Sequence, residues 1–189
     1  VHTLALSTMA ASLALAGCTT TGSSGESPAT DAAKRQAIDA SVDGALSKLF
    51  NTVQGSHELV SKAQGVLVFP SMKKAAFIVG GEYGEGALRV GGATAGYFSS
   101  AAASFGLQAG AQSTAVFFLF MTQASLDKFR NSKGWAAGAD AAVSLLKVGA
   151  NGQIDTSSAS AEVVAIVLTN TGLMADVSVA GTKVTRMNL

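Results

Sequence analysis

Residues 101–121, AAASFGLQAGAQSTAVFFLFM, carry no charge and are long enough to cross a bilayer as a single helix. Their internal pattern argues for a sheet instead. Phe105, Leu107, Ala109 and Ala111 alternate with Gln108 and Gln112, the period of a strand with one apolar face. Gly106, Gly110, Ser113 and Thr114 interrupt any continuous apolar helix face. Ala115 to Met121 is apolar on both faces, as a central strand covered on each side must be. The stretch therefore predicts two successive strands, Ser104–Gln112 and Ala115–Met121, and a protein built around a sheet.

The same texture extends in both directions. Toward the C-terminus, Ser125–Asn131 predicts a short helix with Leu126 and Phe129 inward. Strands are expected over Ala141–Val148, Glu162–Thr169, Leu173–Val179 and Lys183–Met187. Toward the N-terminus, Val66-Leu67-Val68-Phe69 reads as a strand ended by Pro70, followed by Ala75–Gly81 and Gly86–Gly91. The total is eight or nine strands. The 21 glycines against 2 prolines suit strands, tight turns and close backbone approach. Before the strands, Ala33–Val53 places Ile38, Val42, Ala45, Leu46, Leu49, Phe50 and Val53 at helical spacing, with Asp31 or Thr30 as cap. Ser56–Gln64 predicts a second helix, capped by Ser56 and stopped by Gly65. The apolar stripe Ile38/Val42/Leu49/Val53 is expected to pack on the sheet rather than enter a bilayer. The fold class is α+β, with N-terminal helices on a strongly curved, mainly antiparallel sheet that curls toward a barrel.

Composition narrows the function. With 189 residues and 48% hydrophobic content the chain fits one well-filled domain. Thirteen basic against twelve acidic residues leave a net charge of +1, without the basic excess of a nucleic-acid binder. One cysteine excludes an intrachain disulfide, and His2 and His57 are too few and too far apart for a zinc site, so no metal or cofactor is expected. That cysteine closes Leu15-Ala16-Gly17-Cys18, which follows an uncharged run rich in Leu and Ala. The four residues resemble a bacterial lipobox, in which the thiol of Cys18 would carry the lipid. The expected organisation is a lipoprotein signal peptide over 1–18, a flexible tether over 19–33 and a single domain over 34–189. The small polar run from Thr19 to Asp31 would hold that domain about 20 Å from the bilayer. Thr19, where an Asp would mark inner-membrane retention, points to the periplasmic face of the outer membrane.

Lys62-Ala63-Gln64-Gly65-Val66-Leu67-Val68-Phe69-Pro70, Lys74-Ala75-Ala76-Phe77-Ile78-Val79-Gly80-Gly81 and Gly84-Glu85-Gly86 together resemble the opening of the SYLF domain. Ser104-Phe105-Gly106-Leu107-Gln108-Ala109-Gly110-Ala111-Gln112 is similar to its G-x-Q-x-G-x-Q segment. Its closing strands are similar to Gly138–Val143, Gly172–Ala175 and Val177–Gly181. The resemblance covers about residues 34–189. Departures are Tyr97-Phe98-Ser99 for a Trp-Ser pair, Met174 for Phe, Asp176 for Gly, and Lys147-Val148-Gly149 for a Gly-Pro turn. The resemblance implies lipid binding through a helix and basic residues, with actin binding in some fungal members. In a bacterial setting it implies anionic phospholipid.

The residues expected to meet lipid headgroups are Lys34, Arg35, Lys62, Lys73, Lys74 and Arg89, with Lys73 and Lys74 in a turn after Pro70. Gly80-Gly81-Glu82-Tyr83-Gly84-Glu85-Gly86 matches no phosphate-binding glycine motif and is expected to be a hairpin turn exposing Glu82 and Glu85. No G-x-S-x-G elbow is present, and His57-Glu58-Leu59-Val60-Ser61 lacks the second His of H-E-x-x-H, so an enzyme is not expected. The expected function is a membrane-anchored lipoprotein whose domain binds anionic phospholipid. The alternative is a non-catalytic envelope protein that binds a protein partner and meets the membrane only through its anchor.

Overall fold

A computed structural model describes residues 28–74, 81–103, 114–148, 154–155, 158–174 and 176–189. Helix α1 spans Pro28–Thr52 and α2 spans Ser56–Lys62. Strands β1 (Gly65–Lys74), β2 (Gly81–Val90), β3 (Ala93–Ala103) and β4 (Thr114–Phe120) follow. Helix α3 (Gln123–Asn131) precedes β5 (Trp135–Ala136), β6 (Val143–Leu145), β7 (Val163–Thr169), β8 (Gly172–Leu173) and β9 (Lys183–Arg186). The sheet order is β5-β9-β3-β2-β1-β4-β7-β6, with β8 beside β7. Every pair is antiparallel except β6 with β7, and the sheet curls into a half-barrel. The expected α+β class with N-terminal helices on a curved sheet is what the chain adopts.

The stretch that decides the fold ends β3 at one side and forms β4 at the other, so no single helix runs through it. Among the described residues no helix is long and apolar enough to cross a membrane. The strand expected over Ser104–Gln112 and most of that over Ala75–Gly81 lie outside the described residues, as do Cys18 and residues 19–27 of the tether. β4 is fully buried along its length because the sheet has a core on each side. Val116, Phe118 and Phe120 enter the inner core, where Phe120, Phe129 and Trp135 meet at ring-centroid distances of 4.8 to 6.0 Å. Ala115, Phe117 and Leu119 enter the outer core under α1.

Helix α1 starts at Pro28, inside the stretch expected as tether. A proline suits a first helical position because its missing N–H would be unpaired there anyway. Asp31 thus lies in the first turn, complementing the helix dipole, rather than capping it. Ile38, Val42, Ala45, Leu49 and Val53 are buried against the outer face, so the stripe packs on the sheet. Each large aliphatic side chain so buried contributes about 1.5–3 kcal/mol. Gly55, with φ of 84°, turns the chain into α2. Ser56 does not cap α2; its Oγ donates to Leu49 O at 3.1 Å and ties α2 to the end of α1.

Three local readings are corrected. Pro70 does not end β1: the strand continues to Lys74 through a bulge. Proline has no N–H for the ladder, and a bulge is where a strand tolerates that loss. Residues 81–86 are not a hairpin turn but the first half of β2, and Glu82 is buried. The actual turn is Gly91-Gly92, where φ values of 58° and 84° give both central residues the left-handed conformation that a two-residue hairpin needs. Finally, of the strand expected over Leu173–Val179 only Leu173 is in a strand, at the end of the two-residue β8, and Met174 and residues 176–179 are in none.

Candidate functional site

The bulge in β1 builds the site. From Val68 to Lys73 the strand advances five residues while its partner β2 advances four, from Ala87 to Tyr83. The extra residue reverses the side to which each following residue points. Before the bulge, Leu67 and Phe69 face the inner core; after it, Met72 does. Ser71 and Lys73 consequently face α1, whereas unbroken alternation would have sent them inward. The bulge thus supplies two polar groups to the helix side of the sheet.

They line a groove of about 510 Å³ between the N-terminal half of α1 and the β1–β2 pair. Helix α1 contributes Lys34, Ile38 and Ser41, β1 contributes Lys73 and Lys74, and β2 contributes Tyr83 and Glu85. Lys73 and Lys74 are exposed, and neither forms an ion pair among the described residues. Lys34 Nζ lies 3.2 Å from Glu85 Oε1, both side chains about one-third exposed. Tyr83 donates its hydroxyl to the same Oε1 at 3.1 Å. Burial first, then the Glu85 charge, pushes the Tyr83 phenol above its ordinary range, so it remains a neutral donor at physiological pH.

Of the six cations singled out in the sequence, the groove gathers Lys34, Lys73 and Lys74. Arg35 is half-buried on α1, on the side facing Tyr97. Lys62 is on α2, paired with Glu58 at 2.6 Å, beside a separate hollow that includes Leu59 and Ile154. Arg89 is 13% exposed and engaged, with Nη1 3.2 Å from Asp39 Oδ1 and Nη2 2.7 Å from Asp43 Oδ1. Asp39 also accepts from Thr94 Oγ1 and Tyr97 OH, each at 2.7 Å, so this cluster clasps α1 to β2 and β3. Tyr97, like Tyr83, is held neutral, mainly by burial and then by its hydrogen bond to Asp39.

Sequence reading missed Tyr83, Glu85, Ser41 and Ser71 as groove residues. Tyr83, Glu85, Ala87 and Arg89 alternate along one face of β2 and could have been found by that period. The intervening Gly84 and Gly86 made the segment resemble a turn.

Residues 101–188 match the family model described as Ysc84, Las17-binding protein actin regulator. The SYLF resemblance therefore holds over the C-terminal part of the chain, from the end of β3 through β9. The N-terminal groove elements precede the matched segment. No curated protein matches the chain.

Proposed function

We propose that this chain, whose residues 101–188 match the Ysc84 (SYLF) family, is a membrane-binding domain that recognises anionic phospholipid headgroups in the groove between α1 and β1–β2. The observation that carries this reading is the convergence of Lys34, Lys73 and Lys74 from two separate elements on one open groove. Ammonium groups there reach phosphate oxygens without being buried. Each contributes about 1 kcal/mol near an anionic surface, so several must act together. Lipid binding in the SYLF family supports the same reading.

The test is flotation of the full chain carrying Cys18→Ser, so that no lipid anchor contributes. Binding is expected to anionic vesicles, to weaken with salt, and to fall about 30-fold when Lys73→Ala and Lys74→Ala are combined, the loss of two such contacts. Undiminished binding by the double variant would reject the groove as the headgroup site.

The second part of the proposal is attachment. Cys18 carries the lipid, and the domain sits on the periplasmic face of the outer membrane. In a bacterial host, the parent chain is expected in the detergent phase of a Triton X-114 partition and Cys18→Ser in the aqueous phase. An unchanged partition would rule out the anchor.

A second reading has one observation in its favour: the matched family is described by a protein partner and actin regulation. If the Cys18→Ser chain floats with no vesicle, the domain binds a protein in the envelope and the anchor alone meets the membrane.

A further inference from the structure

Glu85 is a carboxylate in a groove whose other charged side chains are all lysines. A purely anionic ligand would gain nothing from it and would be repelled. Both of its contacts fall on one oxygen: Oε1 accepts from Lys34 Nζ at 3.2 Å and from Tyr83 OH at 3.1 Å. Oε2 has no partner among the described residues, and the side chain is 30% exposed along the groove. Tyr83, held as the neutral phenol, lines the same groove. Lys73 and Lys74 stand on β1, the neighbouring strand, in register with Tyr83 and Glu82. The groove therefore offers free cations on one strand and a free anionic oxygen on the next.

We infer that the groove selects a phospholipid headgroup that carries a primary ammonium beside its phosphodiester, the aminophospholipid class, with the phosphate at Lys73 and Lys74 and the ammonium at Glu85 Oε2. This rests on the headgroup reading above and adds its chemical selectivity. A glycerol headgroup has the phosphate but no cation for Glu85. A serine headgroup has both, and its carboxylate restores the net negative charge that the lysines favour.

The test compares two vesicles of equal surface charge, phosphatidylserine and phosphatidylglycerol at the same fraction in phosphatidylcholine, using the full Cys18→Ser chain. Phosphatidylserine is expected to bind about threefold to fivefold more tightly, the size of one half-exposed ion pair. Glu85→Gln keeps the side-chain shape and an oxygen for Tyr83, and should remove that preference. It should bind phosphatidylglycerol at least as well as the parent, which also verifies its fold. Soluble glycerophosphoserine should compete only weakly, because it lacks the surface that presents many headgroups together. Competition as strong as the vesicles themselves would overturn the membrane as the source of the ligand. Equal binding of the parent to both vesicles, still lost in Lys73→Ala plus Lys74→Ala, would overturn the ammonium inference and leave the headgroup reading standing. No binding to either vesicle would overturn both.

Discussion

Gly86→Ala is expected to destabilise the protein by at least about 3 kcal/mol, beyond the usual range for one methyl group added to a core. A Cβ at residue 86 would collide with Val68 O and lie 2.9 Å from Phe69 Cδ1. The first of these is backbone in the neighbouring strand and cannot rotate away. β1 and β2 would have to separate where their pairing is continuous, at Val68 opposite Ala87, one residue before the bulge begins. The inner core above them, with Phe69 wholly buried, would open as well. Gly44→Ala is the matched control. It lies within α1, a Cβ there meets nothing within 4 Å, and alanine is the better helix former by up to about 1 kcal/mol. Urea denaturation of the three proteins should give a much lower midpoint for Gly86→Ala and an equal or higher one for Gly44→Ala. An unshifted midpoint for Gly86→Ala would mean that the strands are not so close.

Arg89→Ala is expected to cost about 2 kcal/mol of stability while leaving vesicle binding of the folded protein unchanged. The magnitude sits below that of a fully buried pair because Asp39 is 30% exposed, while Arg89 is only 13% exposed. The Asp43 contact adds little, since that carboxylate is 68% exposed. Without the guanidinium, Asp39 keeps Thr94 and Tyr97 as donors but loses its charge partner, and α1 loses its fork onto β2. Arg89→Lys should recover only part of the loss, because an ammonium cannot span both aspartates as the planar fork does. Thermal melts read the first effect; flotation well below the melting temperature reads the second. A fall in vesicle affinity with no change in melting temperature would make Arg89 a headgroup contact rather than a clasp.

The difference between Arg89 and Lys73 shows how far the candidate site was legible. Both appear in the sequence as cations in the β-rich region. The sequence predicts a turn for Lys73 after Pro70, and what aims it at α1 is an extra residue in β1 that no side-chain pattern announces. Arg89 reads as equally free in the sequence, because Asp39 and Asp43 are 50 and 46 residues away along the chain and reach it only once α1 lies across β2. β3 carries no strand signal in the sequence for a related reason. Ala93–Ala103 is almost all Ala, Gly, Ser and Thr, so the contrast between its faces is too small for period two to show.

The sequence by itself determined the architecture. The unbroken apolar run Ala115–Met121 specified a strand buried on both faces, and the stripe Ile38/Val42/Leu49/Val53 specified a helix to cover one of them. These signals are local, because burial writes itself into side-chain type at intervals of two or three to four residues. Only the tertiary structure decided the chemistry. Which lysines remain free, that Glu82 is buried, and that Glu85 faces the lysine groove all depend on strand register, on one bulge and on where α1 lands. Those are set by packing between distant segments, and a charged residue carries the same local signature whether its partner is water or an aspartate fifty residues away.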